Sequence, residues 1–189
     1  MAGITDWPFR LLCRRMGADE TVTEMISAPG LLYAPPDSRA YAFLLAAHPD
    51  EDALAAQIVG RDPKTMAEAA RRLEGTGRYI GIDINFGCPA HKITASGNGC
   101  ALMRDPALAG RIVDAVRKAT TIRLSAKMRI GWDSENVNAE VFARACEENG
   151  VQVLCVHGRT REQQYSGKAD WEAIARVRRA VGVPVIANG

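Results

Sequence analysis

Apolar positions along the chain follow two alternating patterns. Six short runs, at residues 20–26, 54–59, 79–85, 122–128, 151–157 and 183–187, read as strands. Several are nearly continuous in apolar residues, as in Val151-Gln-Val-Leu-Cys-Val156, the pattern of strands buried on both faces of a parallel sheet. Between them the apolar residues repeat at helical spacing. Pro63 opens a stretch with Met66, Ala70 and Leu73 before Gly75, and Asp105-Pro106 caps one with Leu108, Ile112 and Val116. Val141, Ala145 and Glu148 precede Gly150, a helix stop. Asp170 caps a helix carrying Ile174, Val177 and Val181, and Asp6-Trp-Pro8 opens a short helix that Gly17 closes.

This alternation fits either a TIM (β/α)8 barrel or a doubly wound sheet, and periodicity alone does not separate them. Either fold places its site beyond the carboxyl ends of the strands. Polar residues stand at those ends repeatedly: Glu24, Gln57, Asn85 through Lys92, Lys127 through Arg129, His157 through Arg161, and Asn188-Gly189. Any one of them can simply cap a strand and meet solvent; their recurrence at one pole is what draws attention.

Length and composition narrow the picture. The 189 residues suit one domain but fall short of the roughly 200–250 of a closed eight-stranded barrel. Charged residues make up 24%, which excludes wholesale disorder, and the formal charge of +2 gives no strong pull toward nucleic acid by itself. The five cysteines are odd in number and show no Cys-x-x-Cys spacing, which argues for reduced thiols in a cytoplasmic protein and against a disulfide framework or thiolate zinc site. Three scattered histidines make no metal cluster, and neither a membrane span nor a signal peptide is legible.

The densest chemistry lies in Asp83-Ile-Asn-Phe-Gly-Cys-Pro-Ala-His-Lys92. A buried strand runs into a Gly-Cys-Pro turn that can hold the Cys88 thiol at the mouth of the fold. There it can donate a proton or, beside a cation, act as a nucleophile; the bland reading is a small buried cysteine. Cys13 and Cys146 fall in helices, Cys155 in a strand, and Cys100 follows the turn Gly97-Asn-Gly99, which is either a phosphate-approaching loop or a plain turn. Lys127 at a buried strand end needs an anion, a ligand carbonyl or a path to solvent. His157 opens a segment whose two arginines suggest an anion site.

These motifs together resemble the tRNA-dihydrouridine synthases, flavin enzymes on a TIM-barrel scaffold, and among them the bacterial nitrogen-regulation-like branch. The resemblance runs through Met1-Ala-Gly-Ile-Thr-Asp-Trp-Pro-Phe-Arg10, the Asn-x-Gly-Cys-Pro-x-x-Lys element at 85–92, His157-Gly-Arg-Thr-Arg161 and Tyr165-Ser-Gly-Lys-Ala-Asp-Trp171. It implies FMN as cofactor, NADPH or NADH as reductant, and tRNA as substrate, whose uridines become 5,6-dihydrouridine. It assigns flavin contacts to Met1, Ala2, Gln57, Lys127, His157, Asn188 and Gly189. Cys88 becomes the proton donor, Asn85 and Lys92 the neighbours of the target uracil, and Arg161 a tRNA-facing residue. It further implies that the chain is an incomplete barrel, lacking the start of the first strand, the last strand or strands and the family's C-terminal helical tRNA-binding domain. Such a chain is expected to be monomeric, to bind FMN weakly by itself and to be inactive alone. Rival readings are an FMN oxidoreductase of the dihydropyrimidine or dihydroorotate dehydrogenase type, acting on a free base, and a non-catalytic RNA-binding remnant.

Overall fold

The computed structural model describes residues 4–35 and 37–189. Among these residues, seven strands form a single all-parallel sheet: β1 (Thr21–Val22), β2 (Ile26–Ser27), β3 (Leu54–Val59), β4 (Gly81–Phe86), β5 (Arg123–Arg129), β6 (Val153–His157) and β7 (Val185–Asn188). The spatial order is β1-β3-β4-β5-β6-β7, with β2 also pairing with β3. This is a parallel-stranded partial barrel, as the incomplete-barrel reading expects.

Helices follow the strands and cover the sheet. These are α1 (Trp7–Arg15), α2 (Ala28–Tyr33), α3 (Arg39–Leu44), α4 (Pro63–Glu74), α5 (His91–Thr94), α6 (Pro106–Ala119), α7 (Ala139–Glu148) and α8 (Trp171–Ala180). A six-residue 3-10 helix spans Gly99–Arg104. The helix α4 packs on α6, α6 on α7 and α7 on α8, forming the outer layer. Their starts obey the sequence: Asp62, Asp105 and Asp170 accept hydrogen bonds from the N–H groups of Thr65, Leu108 and Ala173 at 2.8, 2.9 and 2.8 Å. Each such cap contributes about 1 kcal/mol.

The core lies between sheet and helices. Every residue of β4 is buried, but its two faces differ. Ile82, Ile84 and Phe86 join the apolar core, where Phe86 meets Phe142 of α7 edge-on with ring centroids 5.2 Å apart. Gly81, Asp83 and Asn85 alternate with them, on the other face of the strand. Their register partners on β5 are Arg123, Ser125 and Lys127. On β4 and β5 the barrel interior is therefore polar, and the apolar core is the layer outside it.

Three readings are corrected or extended. The single strand at 20–26 is two short strands, because the Thr23 hydroxyl, rather than a main-chain carbonyl, accepts the Gln57 N–H at 2.9 Å, and Glu24 turns to ion-pair with Arg10. On α7, Val141 is 62% exposed; Ala139, Phe142, Ala143 and Cys146 form the buried face. The helices α2 and α3 were not legible, since both are short and flank the proline-rich turn. The stop at Gly150 stands: its φ of 107° is left-handed, which glycine adopts without strain.

Candidate active site at the carboxyl ends of the strands

Parallel register aligns Gln57 with Asp83 and Asp83 with Ser125 across β3, β4 and β5. Asp83 is 5% exposed and accepts from Ser125 Oγ at 2.6 Å and from Gln57 Nε2 at 2.8 Å. Burial raises its pKa, against the lowering pull of Ser125, Gln57 and the Lys127 charge. By taking the Gln57 amide N–H, Asp83 turns Gln57 Oε1 toward Asn85, whose Nδ2 donates to it at 2.8 Å. Asn85 Oδ1 then accepts the backbone N–H groups of Gly87 and Cys88 at 3.1 and 2.9 Å. One hydrogen-bonded chain thus runs from Ser125 through Asp83, Gln57 and Asn85 to the backbone that carries the Cys88 thiol.

The turn is braced from two more sides. Arg129 Nε donates to the Gly87 carbonyl at 2.9 Å, and the Cys100 N–H donates to the Cys88 carbonyl at 3.1 Å. Gly99 has a left-handed φ of 58°, and a Cβ there would stand 2.9 Å from the Cys88 oxygen and 3.1 Å from Cys88 Cβ. The turn Gly97-Asn-Gly99 is thereby explained as a close-packed support for Cys88. Cys88 is partly exposed, whereas Cys100 and Cys146 are buried. Burial pushes the Cys100 thiol up to about 12 and raises those of Cys146 and Cys155 as well. Those three thiols stay protonated and inert.

Beside this turn lies a cationic cluster. Lys127 is level with Asn85 on the neighbouring strand, and its Nζ donates to Asn188 Oδ1 on β7 at 3.0 Å. His157, aligned with Arg129 on one side and Asn188 on the other, is 6% exposed. Burial, together with the charges of Arg129, Lys127 and Arg159, holds its pKa down at about 4. Its imidazole is neutral near pH 7. Arg159 Nη1 lies 2.9 Å from His157 Nε2, so that nitrogen accepts and the ring proton sits on Nδ1.

The structure thus brings Gln57, Asn85, Cys88, Lys127, His157 and Asn188 to one pole on adjacent strands. Gly189 follows Asn188, and a Cβ on it would meet Ala169 at 2.7 Å. Lys92 stands exposed on α5, just past the Cys88 turn, and Arg161 lies in the loop after β6 against the Trp132 ring at 4.7 Å. Met1 and Ala2 lie outside the described residues. Sequence reasoning missed Asp83, Ser125 and Thr23, which organise the site from within. Their signal was present, since polar residues interrupt these buried runs at the two-residue period of one strand face.

Comparison with known proteins places this geometry in a family. The family described as "Dihydrouridine synthase (Dus)" matches residues 1–189. A Pseudomonas aeruginosa protein named tRNA-dihydrouridine synthase B is 45% identical over 189 residues, covering 100% of this chain and 56% of the relative. A Rhodobacter capsulatus protein named "Probable tRNA-dihydrouridine synthase" is 48% identical over 191 residues, covering 100% and 57%. The chain therefore spans somewhat more than half the length of these curated relatives. A solved Burkholderia cenocepacia J2315 structure shares the fold at a TM-score of 0.59 and 19% identity, covering 96% of this chain and 65% of that one. With its whole length matched, the chain belongs to the dihydrouridine synthase family.

Proposed function

We propose that this chain carries the catalytic centre of an enzyme that reduces uridine in tRNA to 5,6-dihydrouridine, with FMN as cofactor and NADPH or NADH as reductant. The observation that supports it most is the Cys88 turn. A partly exposed thiol sits on a backbone fixed by Asn85, Arg129 and Cys100, at the pole where a parallel barrel does its chemistry.

The residues present suit FMN. Lys127, Arg129 and Arg159 gather positive charge around a neutral His157, which favours an anionic ring and a phosphate. Gln57, Lys127, His157, Asn188 and Gly189 would hold the cofactor. When bound, FMN supplies the hydride to the uracil ring carbon beta to a carbonyl. The chain's own groups do the rest. Cys88 Sγ gives its proton to the adjacent ring carbon, which completes the addition of one hydride and one proton across the double bond; the thiolate is reprotonated from solvent. Lys92, exposed beside the turn, and the remaining Asn85 Nδ2 hydrogen can stabilise the negative charge that develops on the uracil oxygen. The base must leave its stack to reach this depth.

The test is a comparison of substrates. The purified enzyme that carries this chain, supplied with FMN and NADPH, is given unmodified tRNA, free uracil or orotate. Dihydrouridine formed in tRNA alone supports the reading. Turnover of a free base with no change in tRNA moves the chain to the free-base class.

A further inference from the structure

We propose that Arg104, Trp132 and Arg161 form a subsite for the RNA phosphodiester backbone beside the Cys88 turn. The inference rests on the tRNA reading above and names where the strand flanking the target base is held.

Three segments from the carboxyl ends of successive strands meet here. The 3-10 helix that ends in Arg104 follows β4, Trp132 follows β5, and Arg161 follows β6. The Arg161 guanidinium carbon lies 4.7 Å from the Trp132 ring centroid and that of Arg104 lies 5.2 Å away. One aromatic ring thus holds two cations, each through its π face. Neither guanidinium donates a hydrogen bond or joins an ion pair among the described residues, and Arg161 Nε is buried with no partner. The neighbouring arginines behave otherwise: Arg129 and Arg159 spend their donors on the carbonyls of Gly87, Thr160, Gln164, Ser166 and Gly167.

Asp133, whose carboxylate feels the Arg104 charge, does not neutralise the pair. Asp133 accepts from the Asn136 side chain at 2.6 Å and from the N–H groups of Glu135 and Asn136. Its carboxylate closes its own loop, and the Arg104 charge is the weakest of the influences on it. Two cations held by one ring, each with unused planar donors, suit an anion with several acceptor oxygens, and phosphate matches the guanidinium geometry. Trp132 acts through them as a positioning residue. By stacking both side chains it reduces the rotamer freedom lost on binding.

The subsite is tied to the reacting centre. Arg161 N–H and Cys100 Sγ both donate to the Gly131 carbonyl, at 2.9 and 3.8 Å, and Cys100 N–H in turn holds the Cys88 carbonyl. A nucleotide extruded toward Cys88 brings its own flanking phosphates to this rim.

Binding of an unmodified tRNA transcript by the purified, FMN-loaded enzyme that carries this chain, followed by fluorescence anisotropy across a potassium chloride series, tests the inference. The double variant Arg104→Gln with Arg161→Gln should flatten the dependence of log affinity on log salt by about one unit per lost phosphate contact. Trp132→Leu should weaken binding several-fold although the charge is unchanged, and Arg161→Lys should keep the salt slope while losing affinity. FMN content per chain checks folding; should the double variant fail to fold, the two single variants carry the same test. A folded double variant with the wild-type slope overturns the subsite alone. Wild-type protein that binds no tRNA overturns the tRNA reading and the subsite with it.

Discussion

Single residues set the chemistry through what they are forced to accept. Asp83 is costly in an interior, and its cost is offset by two donors that it also orients. Asp83→Asn leaves one acceptor oxygen where two stood, so either the Gln57 amide or the Ser125 hydroxyl loses the acceptor it donates to. The expected loss is about 1–3 kcal/mol of stability, read by urea unfolding. A wild-type midpoint in that variant would mean the chain from Ser125 to Cys88 is not held as described. His157 makes a prediction with a definite sign. Its pKa is near 4 when folded and returns to an ordinary value near 6.5 when unfolded, so the unfolded chain binds the extra proton between those limits. Its contribution to stability is full above about pH 6.5 and is lost as pH falls toward 4. Melting temperatures of wild type and His157→Gln should therefore diverge as pH rises through that window. Parallel curves would show that the imidazole is not held neutral. The Cys-Pro turn, the strand-end lysine and the histidine were legible as residues; Asp83 was not, because it reads as one more polar position inside a strand until Gln57 and Ser125 are seen level with it.

Elements were legible where their period was strong. Strand β3 lies where its apolar run places it, and α4, α6 and α8 start at the aspartates that cap them. The failures have local causes. The strand expected at 20–26 is broken by side-chain hydrogen bonds of Thr23 and Glu24, which no periodicity encodes. On α7, Val141, Ala145 and Glu148 mark the helix, but its buried stripe runs through Ala139, Phe142, Ala143 and Cys146, and the alanines signal weakly. The 3-10 helix at Gly99–Arg104 shows why a short Gly-x-Gly can be structural: Gly99 is where that helix presses against the Cys88 backbone. Gly99→Ala adds a methyl group at 2.9 Å from the Cys88 oxygen with a left-handed φ. It should destabilise by about 1–3 kcal/mol and lower turnover beyond what the loss of folded protein accounts for. Turnover that simply tracks the folded fraction would separate the Cys88 turn from its support.

Across the whole molecule, a buried ion triad binds the amino-terminal helix to the sheet and the loop before β3. Arg10 of α1 pairs with Glu24 and, at 2.8 Å, with Glu51, all three less than 5% exposed. Thr5 Oγ1 donates to Glu24 at 2.7 Å, and despite the burial that raises it, the Glu24 pKa is held low by Thr5, its own backbone and Arg10. Arg10→Met removes the cation that pairs with both Glu24 and Glu51 and should cost about 3–5 kcal/mol in urea unfolding. A loss below 1 kcal/mol would mean that water or rearrangement relieves them. The charge of +2 also changes meaning at this scale. A nearly balanced total conceals two uncommitted arginines on one ring near the Cys88 turn, which a net figure cannot reveal.

The central claim is that Cys88 delivers a proton to a tRNA uridine at this pole of the sheet. The most direct measurement is mass spectrometry of unmodified tRNA after incubation with the whole enzyme that carries this chain, FMN and NADPH, comparing wild type with Cys88→Ala at matched FMN content. Wild type should add the mass of one hydrogen molecule at a specific uridine, and the variant should do so about 10²–10⁴ times more slowly. Dihydrouridine formed at the wild-type rate by Cys88→Ala, or none formed by the wild type, would contradict it.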